Sequence, residues 1–250
     1  MLQSDFFDDK TEAIIDLGAI YGVRERITDK CMIIFSKEIH TYLLEHFECE
    51  SIGEIGSCNG NIPIYCLSYK GEKIAFYLTG IGSAVASGMC YESHYVIGAT
   101  KYIMFGSCGS LDKEVTAGRF IIPTECYRGE GASHYYAPSS DYLPVKNCDT
   151  LAEIFDRIKA PYVKGRVWTT DSMLRETRGL VAKRRNEGCI AVEMELAGVQ
   201  AVCDFYGLEL YDFLEAGDVL GEGGYEFEGL NAANHHVGKA LIALEAATYL

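Results

Sequence analysis

The amino-acid sequence predicts one layered α/β domain, and three observations carry that prediction. Strand patterns and helix patterns alternate along most of the chain, which is typical of a sheet with helices packed on its faces. The chain has 250 residues, of which 48% are hydrophobic, and that length suits one large core. No linker, repeat or low-complexity segment divides it. We expect residues 1–30, where apolar residues are helically spaced, to form an extension packed on a main body over residues 31–250.

The charge and the cysteines narrow the range of functions. The formal net charge is −14 at pH 7, and such a field repels the phosphates of nucleic acids and of anionic membranes. The ten cysteines lie mostly in apolar runs without a C-x-x-C pair, which indicates packed, reduced thiols and no metal site. An acidic N-terminus and the lack of an apolar stretch of about 18 residues favour a cytoplasmic protein that does not bind or cross a membrane.

The first half of the main body has clear local signals. An apolar strand over Cys31–Phe35 precedes a helix that Ser36 caps, because a serine hydroxyl accepts a hydrogen bond from a free N–H of the first turn. Strand patterns over residues 62–69 and 73–79 flank Lys70 and Gly71, and glycine permits the tight reversal of a hairpin.

Two glycine-rich segments follow strands. The first contains Gly80 and Gly82 and leads into a helix over residues 84–97, and the second, Gly106–Ser110, follows a buried strand over Tyr102–Phe105. The carboxyl ends of parallel strands meet at one edge of a sheet, and a helix N-terminus favours an anion, so both segments are predicted to be loops facing one crevice. The alternative for each is a tight turn without a ligand.

A long loop is predicted over Arg128–Pro138, after a short strand at Phe120–Pro123. Loops of this length inside a compact domain are often functional, and its aromatic and hydroxyl groups suit a sugar or a base. The alternative is that Tyr135 and Tyr136 simply hold the loop against the sheet.

Three carboxylates lie at the ends of later strands. An apolar run over Cys189–Val192 gives way to Glu193, Met194 and Glu195 at the start of a helix, and a strand from Leu208 ends before Asp218. Cleavage of a nucleoside's N-glycosidic bond develops positive charge on the ribose and negative charge on the departing base. A carboxylate near the sugar and a proton donor near the base both favour that reaction, and Glu195 and Asp218 are the candidates.

Several motifs resemble those of the nucleoside phosphorylase and nucleosidase superfamily. They are Val-Glu-Met-Glu at 192–195, Gly-Ser-Cys-Gly at 106–109 and Gly-Ile-Gly at 80–82, with Gly131–His134 most similar to the uridine phosphorylase branch. The resemblance covers residues 31–250. It implies a three-layer α/β/α sandwich around a mixed, twisted sheet, a homodimer or a hexamer made of three dimers, a small-molecule nucleoside as the partner, and no cofactor other than phosphate as a co-substrate.

The resemblance also implies roles for individual residues. Met194 packs against the ribose or base, Glu195 accepts hydrogen bonds from the ribose 2′ and 3′ hydroxyls, and Glu193 orients the site from its rim. Asp218 takes the place of the aspartate that purine-cleaving members direct at the purine ring, which uridine phosphorylases lack. Ser107, Gly109, Gly80 and Gly82 contact the substrate or hold phosphate or the attacking water.

Two further positions correspond less closely to the family pattern. Met173 takes the place of the phenylalanine that stacks on the base, so it offers apolar contact without a ring. Arg178 matches the arginine that reads the pyrimidine carbonyl in uridine phosphorylases, and the alternative is a surface or ion-paired arginine. His235 and His236, near the start of the final helix, are expected to be structural or solvent-facing.

The departures from the family pattern concern the nucleophile. Phosphorylases hold phosphate with three groups. The first is an arginine where this chain has Met104, and the second is a Gly-Asp-Pro-x-Arg motif where this chain has Phe35–Ile39. The third is an arginine of the partner subunit, whose position falls near Asn59–Asn61 in this chain. Lys37 is one substitute cation, or else an exposed helix-start residue. Nucleosidases instead carry a glutamate-rich run, and here only Glu38 and His40 lie nearby. Three hypotheses therefore stand: phosphorolysis of a purine nucleoside or uridine, hydrolysis, and nucleoside binding without turnover.

Overall fold

The structure is a computed structural model that describes residues 6–221 and 223–250. Within them, one sheet contains eleven strands. The strands are β1 (Lys30–Ile34), β2 (Cys49–Ile55), β3 (Ile62–Tyr69), β4 (Glu72–Leu78), β5 (Lys101–Ser110), β6 (Phe120–Gly129), β7 (Tyr142–Pro144), β8 (Tyr162–Thr170), β9 (Cys189–Glu193), β10 (Glu209–Gly221) and β11 (Gly224–Glu226). The helices are α1 (Leu17–Tyr21), α2 (Lys37–His46), α3 (Ser83–Ile97), α4 (Lys113–Thr116), α5 (Cys148–Ile158), α6 (Arg178–Asn186), α7 (Leu196–Tyr206), α8 (Leu230–Asn234) and α9 (Gly238–Ala247).

The sheet is mixed and partly closed on itself. β1 pairs in parallel with both β4 and β5, and β3 and β2 extend the β4 side through antiparallel pairs. On the other side, β5, β9, β8, β6 and β10 follow one another, and β10 pairs again with β5, so these five strands form a ring. The ring brings the ends of β5, β9 and β10 together.

Helices cover both faces because successive strand residues point to opposite sides. Cys31 and Ile33 of β1 pack in one core cluster with residues of α3 and α7. Met32 and Ile34 pack in the other cluster with residues of α2, α5 and α9. The predicted three-layer arrangement around a mixed sheet is confirmed. No helix in the described part of the chain is long and apolar enough to cross a membrane.

The local signals of the first half are confirmed. Ser36 caps α2, and its hydroxyl oxygen accepts a hydrogen bond from the Ile39 N–H at 3.3 Å. β3 and β4 form an antiparallel hairpin, in which Lys70 and Gly71 have φ angles of 50° and 90°. Two successive residues with positive φ match the right-handed twist of the strands, which is why glycine follows lysine there.

Three predicted strand ends are wrong. The strand expected at Phe120–Pro123 continues to Gly129, because β8 pairs in parallel along it. Gly106–Ser110 is not a loop: β5 continues to Ser110, because β10 pairs along one of its edges and Val192 and Ala191 of β9 pair with its last two residues on the other. β10 likewise continues past Leu214 to Gly221, with a bulge between Ala216 and Asp218. These long-range pairings have no signal in local composition.

The N-terminal segment is less helical than its spacing indicates. α1 covers only five residues, and Ile14, Ile15 and Ile20 are 99%, 74% and 60% exposed, so the apolar spacing does not bury these side chains. Tyr21 attaches the segment to the body, since its hydroxyl donates to Glu92 and accepts from the Gly56 N–H at 2.9 Å. Residues 1–5 of the predicted extension lie outside the described residues. The division at residue 30 stays a prediction.

Candidate active site

A cavity of about 930 Å³ lies along the last part of β5. A Cβ atom placed on Gly106 would lie 3.7 Å from Cδ2 of Phe35, and one placed on Gly109 would lie 3.6 Å from Oδ1 of Asp218. Both Phe35 and Asp218 line the cavity. Three strand residues span about 10 Å, so the cavity has two ends separated by roughly the length of a nucleoside.

Gly109 is a packing position. A Cβ atom there would lie 2.5 Å from Cδ1 of Leu220 and 3.0 Å from Cγ1 of Val192, distances that leave no room for a side chain. Glycine therefore lets β5 approach its neighbours closely at the cavity wall, and any substrate contact of Gly109 is through its backbone.

Glu193 lies beneath the cavity and not at its rim, which corrects the position expected for it. The residue is only 5% exposed. Its Oε2 accepts hydrogen bonds from the N–H groups of Glu195 and Leu196, both at 2.7 Å, and the Thr169 hydroxyl donates to its Oε1. Burial raises the pKa of Glu193 to about 7, although these hydrogen bonds act in the opposite direction. The residue fixes the strand-to-helix junction by satisfying free donors of α7.

Glu195 is held by the glycine turn at the start of α3. Its Oε1 accepts a hydrogen bond from the Gly82 N–H at 2.6 Å, and the Ser83 hydroxyl donates to the backbone oxygens of Met194 and Glu195 at 3.1 and 3.2 Å. Burial and the charge of Glu193 raise the pKa of Glu195 to about 8. Glu195, Met194 and Glu193 all border the cavity.

The glycine turn itself does not take the place expected for it. Ile81 borders the cavity, whereas Gly80 and Gly82 are not among the lining residues that the structure describes. The Gly82 N–H, expected to hold phosphate or water, already binds Glu195. Gly82 has a φ angle of 102°, a conformation that favours glycine, so this turn positions the carboxylate.

A second pair of carboxyl groups lies at the other wall. Asp218 accepts a hydrogen bond from the Tyr225 hydroxyl, and burial raises its pKa. Burial, and secondarily the negative charge of Asp218, raises the pKa of Glu176 to about 7. All three residues line the cavity. Glu176 and Tyr225 were not predicted, and the one signal for Glu176 was its place in a polar connector between the predicted Met173 and Arg178.

Met173 and Arg178 lie at this same wall. Met173 begins a short 3₁₀ turn, is 52% exposed and borders the cavity. Arg178 is the first residue of α6 and also lines the cavity. Arg185, farther along α6, donates to the backbone oxygen of Leu220 at 3.2 Å, so its guanidinium supports β10.

The opposite end of the cavity is largely apolar. Phe35, Ile39 and Met104 line it, and the Ser107 hydroxyl donates to the side-chain oxygen of Asn234. Lys37 is exposed and does not border the cavity. Among the residues that the structure describes, the arginines that line the cavity are Arg178 and Arg185, both on α6.

The lysine that lines the cavity is Lys239, which is 1% exposed. Its ammonium group donates to the backbone oxygen of Ala233 and lies 3.8 Å from Oε2 of Glu215. Burial lowers the pKa of Lys239 to about 8. This lysine therefore has protein partners on the side of α8 and β10.

Asp212 was not predicted and has no partner for either carboxyl oxygen within residues 6–221 and 223–250. It is 1% exposed, borders the cavity, and lies opposite Met104 in the pairing of β10 with β5. Burial, with added repulsion from Glu193 and Glu195, raises the pKa of Asp212 well above its usual value. A carboxyl group therefore lies beside the position where phosphorylases carry an arginine.

The segment Arg128–Pro138 does not line this cavity. Arg128 is buried, its Nε donates to the Ser133 hydroxyl at 2.8 Å, and the ring of Tyr136 lies 5.7 Å from that of Phe205 on α7. The expectation of a sugar or base contact from this segment is not met in the chain described here, and its tyrosines pack against other rings instead.

Comparison with known proteins fits this geometry. A profile described as the phosphorylase superfamily matches residues 36–242. The chain belongs to this superfamily. Purine nucleoside phosphorylases of the DeoD type from Bacillus cereus and Bacillus thuringiensis are each 29% identical over 154 residues, or 60% of this chain. The matched part spans 66% of the length of these relatives.

The fold of this chain is also found among solved structures. A futalosine hydrolase mutant of Helicobacter pylori strain 26695 superposes with a TM-score of 0.70 over 90% of this chain and 100% of that one, at 16% identity. At that identity the likeness concerns the fold alone. The cavity of this chain has the carboxylates of the strand-to-helix junction at one wall and an apolar lining at one end.

Proposed function

We propose that this chain cleaves the N-glycosidic bond of a purine nucleoside with water as the acceptor. The observation that carries the proposal is the apolar end of the cavity, where Phe35, Ile39 and Met104 stand and Asp212 is the adjacent carboxyl group. The Lys239 ammonium group already has Ala233 and Glu215 as partners. A phosphate dianion needs cationic donors, and each charge-assisted hydrogen bond is worth roughly 1.5–3 kcal/mol. Water has no such requirement.

The carboxylate wall supports departure of the base. Burial raises the pKa of Glu176 to about 7, so part of this group holds a proton near neutral pH that can pass to a ring nitrogen of the purine, and burial also raises the pKa of the neighbouring Asp218. Base departure leaves positive charge on the ribose, and Glu195 lies at the junction wall where ribose hydroxyls would donate to it. The proposed substrate is a purine nucleoside because Asp218 faces the cavity, whereas the segment similar to uridine phosphorylases does not.

Phosphorolysis is the second candidate, favoured by the 29% identity to purine nucleoside phosphorylases. The test is to incubate the protein with inosine, adenosine, methylthioadenosine and uridine, with phosphate present or rigorously removed. Free base, ribose and ribose 1-phosphate are then measured. We expect base release at the same rate without phosphate and free ribose or its derivative as the product.

Other results would decide against the proposal. Release that requires phosphate and yields ribose 1-phosphate would establish phosphorolysis, and binding heat without release would establish nucleoside binding alone. Lys37→Met is a matched control because Lys37 is exposed and outside the cavity. If phosphate were bound through this lysine, the variant would raise the KM for phosphate.

Assembly, location and co-substrate stay predictions. The resemblance implies a homodimer or a hexamer of three dimers with no cofactor beyond phosphate, and the acidic N-terminus favours the cytoplasm. Sedimentation velocity at several protein concentrations would measure the assembly directly, and a monomer that turns over at its full rate would contradict it.

A further inference from the structure

We infer that His235, held by Glu38, is the general base that removes a proton from the attacking water. The inference rests on the proposed hydrolysis and adds the group that this reaction needs. His235 follows α8 directly and borders the cavity at its apolar end, next to Ser36. It is the histidine that borders this cavity among the described residues.

Contacts of the ring fix its tautomer. Nδ1 of His235 lies 2.8 Å from Oε2 of Glu38 and 2.9 Å from the Ser36 hydroxyl oxygen. The Ser36 hydroxyl lies 3.3 Å from the same Glu38 oxygen, to which it donates, and it accepts from the Ile39 N–H. A carboxylate oxygen this close to Nδ1 favours a proton on that nitrogen. In the neutral ring, Nε2 is then the acceptor that can take a proton from water.

The ring is also held at a defined place along the cavity. Ser36 caps α2, and Asn234, the residue before His235, accepts a hydrogen bond from Ser107 of β5. Ser107 lies in the part of β5 that lines the cavity, between Gly106 and Gly109. The segment that carries His235 is therefore attached to the cavity wall both at β5 and at the start of α2.

A single displacement by water needs room for the water molecule between the base and the sugar carbon. Phe35 and Met104 give the cavity apolar walls at the end where His235 lies. Asp212, beside Met104, is a buried carboxyl group whose pKa is raised well above its usual value, so the imidazole is the base that we assign to that water.

The step balances without another reactant. As the water oxygen forms a bond to the anomeric carbon, its proton passes to Nε2 of His235 and the carbon–nitrogen bond breaks. The electron pair of that bond stays on the base, which takes a proton from the Glu176 and Asp218 pair. His235 then loses its proton to solvent, and the carboxyl pair regains one.

Charged and titratable groups of three elements bear on this end of the cavity. Glu38 of α2 contacts His235, Lys239 of α9 and Asp212 of β10 line the same cavity, and Glu215 of β10 lies 3.8 Å from the Lys239 ammonium group. Glu38 contacts the ring directly. The Lys239 ammonium group is turned toward Ala233 and Glu215.

The neighbouring His236 provides a matched control. Its Nδ1 lies 3.0 and 2.8 Å from the two carboxyl oxygens of Glu215, so it makes the same kind of contact as His235. His236 does not border the active-site cavity but lines a separate concavity near Lys113 and Arg119. A histidine paired with a carboxylate is thus present on each side of the segment, and one of the two faces the cavity.

The experiment compares His235→Gln with His236→Gln in the full-length chain, using the substrate identified by base release. We expect His235→Gln to lower kcat on the order of 100-fold or more, with KM changed by less than about threefold, and His236→Gln to leave both unchanged.

A second variant covers the possibility that His235→Gln does not fold, which thermal unfolding would show. Glu38→Gln keeps an acceptor for Nδ1 but removes the charge, and we expect kcat to fall on the order of 10-fold while KM changes by less than about threefold. Phosphate-dependent turnover of the wild type would overturn the proposed function. If turnover is independent of phosphate but the kcat of His235→Gln or of Glu38→Gln equals that of His236→Gln, the role of His235 is overturned and the proposed function stands.

Discussion

The two pairs of carboxyl groups that face the cavity differ in what holds them. Glu193 and Glu195, the junction pair, accept hydrogen bonds from backbone N–H groups of Glu195, Leu196 and Gly82. Glu176 and Asp218, the base-wall pair, interact with each other's charge, and Asp218 takes the Tyr225 hydroxyl. The fold fixes the first pair through its own backbone, whereas the second pair depends on side chains.

The raised pKa values do not separate the two pairs. Burial is the largest cause of the raised pKa in all four residues. A neighbouring carboxylate adds to it in each pair, since the charge of Glu193 raises the pKa of Glu195 and the charge of Asp218 raises that of Glu176. The difference lies in the backbone hydrogen bonds, which fix the junction pair for orienting a substrate. The base-wall pair, on the other wall, is the one proposed to transfer a proton to the base.

Glu195→Ala tests the junction pair and has the largest expected effect. The variant removes the proposed acceptor of the ribose hydroxyls, so kcat/KM should fall on the order of 1000-fold. The fold should persist because the Gly82 N–H is the backbone donor bonded to this side chain, and water can replace it. Steady-state kinetics and circular dichroism measure the two quantities. Wild-type turnover in a folded Glu195→Ala protein would show that the site is elsewhere.

Asp218→Asn tests the base-wall pair and should have a smaller and more selective effect. The amide cannot supply the proton, so release of a purine base should slow on the order of 100-fold, while uridine, if cleaved at all, should be less affected. Parallel assays with inosine and uridine provide the comparison. Equal losses for both substrates would mean that Asp218 does not act on the purine ring. The selectivity of this variant, compared with the uniform loss in Glu195→Ala, would separate the two walls.

Local sequence signals predicted much of this arrangement, and the remainder depends on distant contacts. The Ser36 cap, the Lys70-Gly71 hairpin and the strand-to-helix junction at Glu193 are each set by a few adjacent residues. Gly106–Ser110 has the composition of a loop, yet it is a strand because β9 and β10 pair with both of its edges. Asp218 was placed in the correct crevice although its strand continues through a bulge.

Other site residues had no usable local signal. Glu176 lies in a connector whose polar composition is that of an ordinary surface loop, and only the packing against Asp218 reveals its environment. In the sequence, His235 has the pattern of a solvent-facing residue near a helix start. Its partner, Glu38, is 197 residues earlier in the chain, so no local pattern connects the two. Sequence patterns identified the residues that determine local backbone structure better than the residues that come together in the site from distant parts of the chain.

Asp212 is a buried carboxyl group that lacks the backbone hydrogen-bond donors of the junction pair. Asp212→Asn therefore tests what such donors contribute to a buried carboxyl group. Its folded-state pKa is raised, so the folded protein binds this proton more tightly than the unfolded chain does. Stability should therefore fall as the pH rises above the ordinary aspartate range. The asparagine variant lacks that ionisation and should gain melting temperature over the wild type at pH 8 but not at pH 4.

The expected gain is modest, since each kcal/mol shifts the melting temperature by roughly 2–4 °C in a chain of this size. Thermal unfolding at pH 4, 6 and 8 measures it, with Asp141→Asn as the control because Asp141 is exposed. A difference between Asp212→Asn and the wild type that does not grow with pH would mean that Asp212 ionises as freely as a surface residue. In that case burial without donors would carry no cost here, and the backbone hydrogen bonds to Glu193 and Glu195 would serve orientation alone.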